Sequence, residues 1–170
     1  DLNNLYDIDN HLLVKYIYDS KNITLGKELG SGNFGTVNKS TMVCNGILKG
    51  NSDCVDDPIT VAIKVLNTLD FTKPIAPEIT LKHEAGKKDL IKEAVIMAKL
   101  QFPNGNEHIV KFLAFVKAPV LMICLELCEL GALNAHVKNS TGADDPVRFI
   151  QYMMDVATGM DHVHTQGIVH

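Results

Sequence analysis

Gly30-Ser31-Gly32-Asn33-Phe34-Gly35-Thr36-Val37 is the stretch on which the fold of this 170-residue chain turns. Glycines spaced GxGxxG fit a dinucleotide-binding turn, a hairpin that covers phosphates, or a glycine-rich turn with no ligand at all. A dinucleotide turn needs a helix directly after the third glycine, whereas Thr36 and Val37 favour extended chain. A P-loop needs Lys and then Ser/Thr at that point, and Thr36-Val37 stand there instead. Upstream, Ile23, Leu25 and Leu29 share one parity, as in a strand. The expectation is a strand-loop-strand hairpin whose amides can close over phosphates, with Val37 placed to cover a flat apolar ligand such as a purine. An ordinary structural hairpin stays open as the alternative.

Downstream, residues 44–58 gather Asn, Gly, Ser, Asp and Pro and read as a polar loop. Residues 59–66 form the clearest strand: Ile59, Val61, Ile63 and Val65 fall on one face, Thr60, Ala62 and Lys64 on the other. The first face is expected to be core. Lys64 then points away from it beside Ala62, whose small side chain leaves room for a ring, and an ammonium there can reach phosphate oxygens as a point charge. Residues 67–86, with two prolines and mixed charge, are expected to be irregular, and a helix to begin near Asp89. Leu90, Glu93, Met97 and Leu100 keep one helical face, broadened by Ala94, Val95 and Ala98. A carboxylate on that face needs a partner if it is desolvated. Lys64 is the natural one for Glu93, and Glu84, in the preceding loop, is the competing candidate.

Two strands are expected around 109–116 and 120–127, then a short helix from Gly131 to Val137 and a polar turn at 139–142. Asp145-Pro146 supplies an N-cap with proline in the first helical position, and Phe149, Met153, Val156, Met160 and Val163 keep one face until Gly167. His162 and His164 near that helix end lack a third ligand nearby in sequence and suit the helix dipole better than a metal. Residues 1–22 keep no period and read as a linker segment. Its tyrosines, Tyr6, Tyr16 and Tyr18, are candidate phosphorylation sites, although such tyrosines more often simply pack or lie exposed.

With 46% apolar and 21% charged residues the chain can bury a core, and its net charge of −4 disfavours nucleic acid as a partner. Its longest apolar run, 119–125, is far short of the ~20 residues that cross a bilayer, and its polar start is unlike a signal peptide. Cys44, Cys54, Cys124 and Cys128 form no metal-binding or CxxC spacing, as befits reduced thiols in the cytosol. A cytoplasmic location is expected. Sequons at Asn22, Asn38 and Asn139 are too short a pattern to carry weight.

Taken in order, these features resemble the N-terminal part of a protein kinase catalytic domain over residues 23–170. GSGNFGTV looks like the glycine-rich loop, VAIK like the strand with the nucleotide lysine, DLIKEAVIM like helix C with its glutamate, and HIVKFLAF like the fourth strand. ICLELCELG resembles the fifth strand and hinge, with Leu125 as gatekeeper and Glu126 to Cys128 along the adenine edge. VATGM followed by GIVH resembles helix E and the start of the catalytic loop, His170 beginning its motif. ELGSGNFGTV, ELCELGALNAHV and DVATGM look most like the cytoplasmic tyrosine kinases of the spleen tyrosine kinase group.

The resemblance implies an α+β fold: an N-lobe of antiparallel sheet plus helix C, joined by the hinge to the first helices of an incomplete C-lobe. It implies ATP and magnesium as cofactors and a protein substrate, with upstream phosphotyrosine-binding modules left unknown. Gly30, Ser31, Gly32, Asn33, Phe34 and Gly35 would cover the phosphates, and Lys64, held by Glu93, would contact them. Leu29, Val37, Ala62, Leu125, Glu126 and Cys128 would surround adenine. Lys64 follows Gly35, and Glu93 follows Lys64, by 29 residues each, longer than the resemblance leads one to expect. The surplus falls in polar stretches, where insertions cost little. The catalytic aspartate and the magnesium ligands would come after His170, so a fragment of an active tyrosine kinase is expected, with a catalytically inactive nucleotide-binding scaffold and a non-nucleotide interaction module as alternatives.

Overall fold

The computed structural model describes residues 10–32, 35–43, 58–67, 72, 76–139 and 146–169, and the side chains of Asn10 and Asn139 lie outside that description. A six-stranded sheet is built from β1 (Ile23–Thr24), β2 (Glu28–Ser31), β3 (Gly35–Val43), β4 (Pro58–Leu66), β5 (Phe112–Val116) and β6 (Met122–Glu126). Its order is β1-β3-β4-β6-β5, with β2 also on β3, and every pairing is antiparallel. Four α-helices and a short 3-10 turn (Ser20–Asn22) accompany it among the described residues: α1 (Asn10–Val14), α2 (Pro77–Leu100), α3 (Leu133–Asn139) and α4 (Pro146–Thr165).

The sheet is covered on both faces. Val61 and Ile63 of β4 are fully buried with Tyr18, Met42, Ala114, Val116, Met122 and Cys124, which confirms the alternation read from residues 59–66. The opposite face is core as well. There α2 lays Leu90, Ile91, Ala94 and Ala98 on Leu66, Phe112, Phe115 and Ile123. At ~25 cal/mol per Å² of apolar surface, such a two-sided core is the main stabilising element of the sheet, and strand alternation alone reported only half of it.

Helix α2 starts at Pro77, twelve residues before the expected Asp89. Its first two turns face no core: Ile79 and Leu81 are 51% and 71% exposed, so the apolar period that marks a packed helix has nothing to mark. The proline taken as a sign of irregular chain is instead the first helical residue, where the missing N–H costs nothing. Glu84, expected in a loop, therefore sits on the helix and pairs with Lys87 one turn on.

The segment 10–22, expected to contribute no core element, packs firmly. Leu13 and Tyr18 are buried, Tyr16 stacks on Phe112 with ring centroids 4.6 Å apart, and the Tyr18 hydroxyl donates to the Val43 carbonyl. Tyr18 is thereby closed to modification in this state, Tyr16 is half-buried, and Tyr6 lies outside the described residues. The α4 face expected to pack is largely exposed at Phe149, Met153 and Val156 and meets the rest of the chain through Gly159 and Val163. His162 has a more specific role than a dipole contact: its Nε2 lies 2.9 Å from the Leu100 carbonyl oxygen and satisfies one of the orphan acceptors at the end of α2.

Candidate active site

Antiparallel pairing sets the site in rows. Gly30 lies opposite Val37, Val37 opposite Lys64, and Lys64 opposite Ile123, so one row crosses β2, β3, β4 and β6. Directly opposed residues share a face, which puts Lys64 and Val37 on the side of the sheet that carries α2. One row over, Ala62 opposes Leu125. The helix-side cluster takes in Leu66 and Ile123, with Leu125 packed against it, while Val37 and Ala62 stay half-buried outside it. The uncovered part of this face is a shallow apolar floor with an ammonium at its inner edge.

Lys64 Nζ lies 2.5 Å from Glu93 Oε2. The buried stripe of α2 runs through Leu90, Ile91, Ala94 and Ala98, so Glu93 stands at its edge, whereas the sequence pattern placed it on the buried face with Leu90, Met97 and Leu100. The two side chains remain 34% and 38% exposed. An ion pair this open to water adds about 1 kcal/mol or less to stability, so its worth lies in the position it gives the lysine. Gly35, Leu66, Gly86, Asp89 and Leu90 line a small cleft around the pair. Glu84 bonds to Lys87 Nζ at 2.7 Å, which holds its carboxyl below the usual carboxylate range.

Within the hairpin the glycines divide their work. A Cβ on Gly35 would stand 2.3 Å from the Val65 carbonyl oxygen, so glycine there permits the close approach of β3 and β4. Among the described residues, a Cβ on Gly30 would meet nothing within 4 Å, and one on Gly32 only the Gly35 carbonyl oxygen, at 4.0 Å. Neither has a positive φ. Among the described residues, neither packing nor backbone conformation calls for glycine at those two positions. The Gly32 amide donates to the Gly35 carbonyl at 2.9 Å and closes the turn. Ser31 is exposed at the end of β2; Asn33 and Phe34 lie outside the described residues, as does His170. Leu29 sits at the bulge between Glu28 and Gly30, 53% exposed.

Along the hinge, Leu125 is half-buried where β6 ends. The Glu126 amide donates to the Lys111 carbonyl at 3.0 Å, and its Oε1 accepts from the Lys111 amide at 2.7 Å. The Cys128 carbonyl accepts from the Gly131 amide at 3.0 Å, and Gly131 takes a left-handed φ of 72° to turn the chain into α3. Glu126 is thus tied to Lys111, a contact the sequence did not signal, because it joins residues fifteen apart through one side chain and one backbone.

The family model for "Protein tyrosine and serine/threonine kinase" matches residues 23–170. The chain belongs to that kinase family. Similar proteins include chicken tyrosine-protein kinase SYK (Gallus gallus), 29% identical over 157 residues, covering 89% of this chain and 21% of the relative. Spermatocyte protein spe-8 of Caenorhabditis elegans is 27% identical over 158 residues, 89% of this chain and 25% of the relative. The zebrafish (Danio rerio) tyrosine-protein kinase receptor TYRO3 is 28% identical over 156 residues, 87% of this chain and 16% of the relative. The kinase chain thus spans about a fifth of the length of the curated relatives it matches. Its six-stranded antiparallel sheet with α2 is a kinase N-lobe, and α3 and α4 belong to the beginning of the C-lobe. Among the described residues no helix is long and apolar enough to cross a membrane.

Proposed function

We propose that this chain is the nucleotide-gripping part of a protein tyrosine kinase that passes the γ-phosphoryl of ATP to a tyrosine hydroxyl of a protein substrate. The observation that carries it is the Lys64–Glu93 pair, in the same row across the sheet as Gly30 and Val37. Phosphoryl transfer asks a protein chiefly to position the phosphates and offset their charge. Gly30, Ser31, Gly32, Asn33, Phe34 and Gly35 form the flap over the phosphates. Lys64 contacts the α- and β-phosphates while Glu93 fixes its ammonium. Leu29 and Val37 cover adenine from above, Ala62 leaves room for it, and Leu125 bounds it at the back. Hinge backbone groups near Glu126 and Cys128 read the adenine edge, as the resemblance to kinases implies.

ATP is bound with magnesium, which neutralises phosphate charge. By the motif order of the kinase family, in which His170 begins the catalytic-loop motif, the magnesium ligands and the catalytic aspartate are proposed to follow that histidine. Tyrosine as acceptor is supported by SYK and TYRO3, both tyrosine kinases by name. The free thiols Cys124 and Cys128 suit a catalytic domain in the cytoplasm.

The test is phosphate transfer by the intact parent protein to matched peptides bearing tyrosine or serine, beside Lys64→Met. Transfer to tyrosine is expected, and the variant should lose at least about a hundredfold in turnover, as when a transition-state donor is removed. Transfer confined to serine would overturn the acceptor assignment. A parent that fails to bind an ATP analogue would overturn the site.

A further inference from the structure

Helix α2 buries the stripe through Leu90, Ile91, Ala94 and Ala98 and turns its other side to solvent. On that outer side Lys92, Ile96 and Lys99 are exposed and keep the four-and-three spacing of one helical face, and Phe102, 53% exposed, lies one turn past Lys99. Lys15, exposed just after α1, holds its Nζ 5.3 Å from the centroid of the Phe102 ring and 5.1 Å from that of Tyr16. Three ammoniums and two apolar side chains thus share one surface. Residues 10–18 contain no acidic residue, and residues 90–103 only Glu93, which is turned to Lys64. Among the described residues Lys15, Lys92 and Lys99 enter no ion pair. In a chain of net charge −4 this is a local reversal of sign.

We infer that this surface docks an acidic segment of a partner protein, in which carboxylates flank an aliphatic or aromatic residue. The apolar residue lies on Ile96 and Phe102 and takes their exposed area out of water, and the carboxylates meet Lys92, Lys99 and Lys15, whose mutual repulsion they offset. Lys92 and Lys99 stand about 10 Å apart along the helix at ~1.5 Å per residue, a span covered by about three residues of extended chain. An anionic bilayer fits this surface poorly. Basic clusters that recognise lipid gather about four to eight Lys or Arg, and a plane would also face the chain's net negative charge, whereas a narrow segment meets the cationic patch alone. Since Lys92, Ile96 and Lys99 lie on the side of α2 away from the sheet, the docking surface is separate from the cleft around Lys64 and Glu93 and does not depend on the role given to that pair.

The test is fluorescence anisotropy on the intact parent protein with a short labelled peptide in which isoleucine and phenylalanine are flanked by glutamates. This peptide should bind at least about tenfold tighter than one with lysines for the glutamates, and at least about threefold tighter than one with serines for the two apolar residues. Lys92→Glu combined with Lys99→Glu should weaken binding at least about tenfold, because two attractions become repulsions. Phe102→Ser should weaken it about threefold through lost apolar contact. Lys82→Glu, exposed on an early turn of the same helix and outside the patch, should stay within about twofold. Raising the ionic strength from about 0.1 M to about 1 M, which shortens the Debye length from about 10 Å to about 3 Å, should weaken binding at least about fivefold. A circular-dichroism melt that matches the parent shows each variant folded; should the double reversal fail to fold, Lys92→Gln with Lys99→Gln takes its place, with an expected loss of at least about threefold. No preference for the glutamate-flanked peptide, or an equal loss in Lys82→Glu, overturns the proposal. Capture of phosphatidylserine vesicles that needs the same lysines and is not displaced by the peptide also overturns it, in favour of a membrane contact.

Discussion

Gly35→Ala and Gly30→Ala should separate packing from ligand contact within one hairpin. A methyl on Gly35 lands 2.3 Å from the Val65 carbonyl oxygen and 3.2 Å from its carbon. Optimal contacts lie near 3.5 Å, so β3 and β4 must part by about 1 Å. Overpacking of that kind costs about 1–3 kcal/mol, and a loss of 2 kcal/mol lowers Tm by about 4–8 °C in a domain of this size. At Gly30 the added methyl meets nothing within 4 Å among the described residues, so stability should stay within about 0.5 kcal/mol while nucleotide affinity drops. Cys124, fully buried in the sheet, makes a local probe: its alkylation during a thermal ramp, read by mass spectrometry, reports the melting of this sheet even in a longer protein. Gly35→Ala melting with the parent, or Gly30→Ala losing as much stability as Gly35→Ala, would refute the division of roles.

Glu84→Ala should leave turnover near that of the parent, because Glu84 bonds to Lys87 and not to Lys64, whereas Glu93→Ala should lose at least about tenfold, the effect of 1.4 kcal/mol on a barrier; equal losses would mean the wrong carboxylate has been assigned. Burial pushes the Cys124 thiol up to about 12 from an ordinary value of 9.0. A raised value means that the unfolded chain sheds its proton first, so the stability is present in full below pH 9 and is lost as pH rises toward 12, roughly 4 kcal/mol at the limit. Denaturant midpoints measured from pH 8 upward should fall in the parent and fall less steeply in Cys124→Ala; parallel slopes would count against it. At neutral pH, iodoacetamide should modify the exposed Cys128 and spare Cys124.

Much of the site was legible because its signals are local. The alternation of 59–66 placed Lys64 opposite Val61 and Ile63 in facing, a consequence of the two-residue period that no tertiary contact alters. The glycine spacing, followed by β-favouring Thr36 and Val37, excluded a helix after the loop. Leu90, Ala94 and Ala98 of α2 kept a helical stripe because a sheet lies against them. The first two turns of that helix were illegible for the converse reason: nothing packs on them, and exposed helix has no period to read. Residues 10–22 were misjudged because their burial is spread over single residues, Leu13 on one face of the sheet and Tyr18 on the other, and two isolated anchors make no pattern.

By itself the sequence determined the order of elements, the facing of Lys64 and the choice of a hairpin over a dinucleotide turn, since each follows from residue type and spacing within a few neighbours. Only the tertiary structure decided that Glu93 and not Glu84 meets Lys64, that Glu126 is tied to Lys111, and that the leading segment crosses the sheet beneath its core. Those outcomes depend on the relative placement of chain segments many residues apart, where a contact is selected by the packing of α2 on the sheet and leaves no mark in the local pattern.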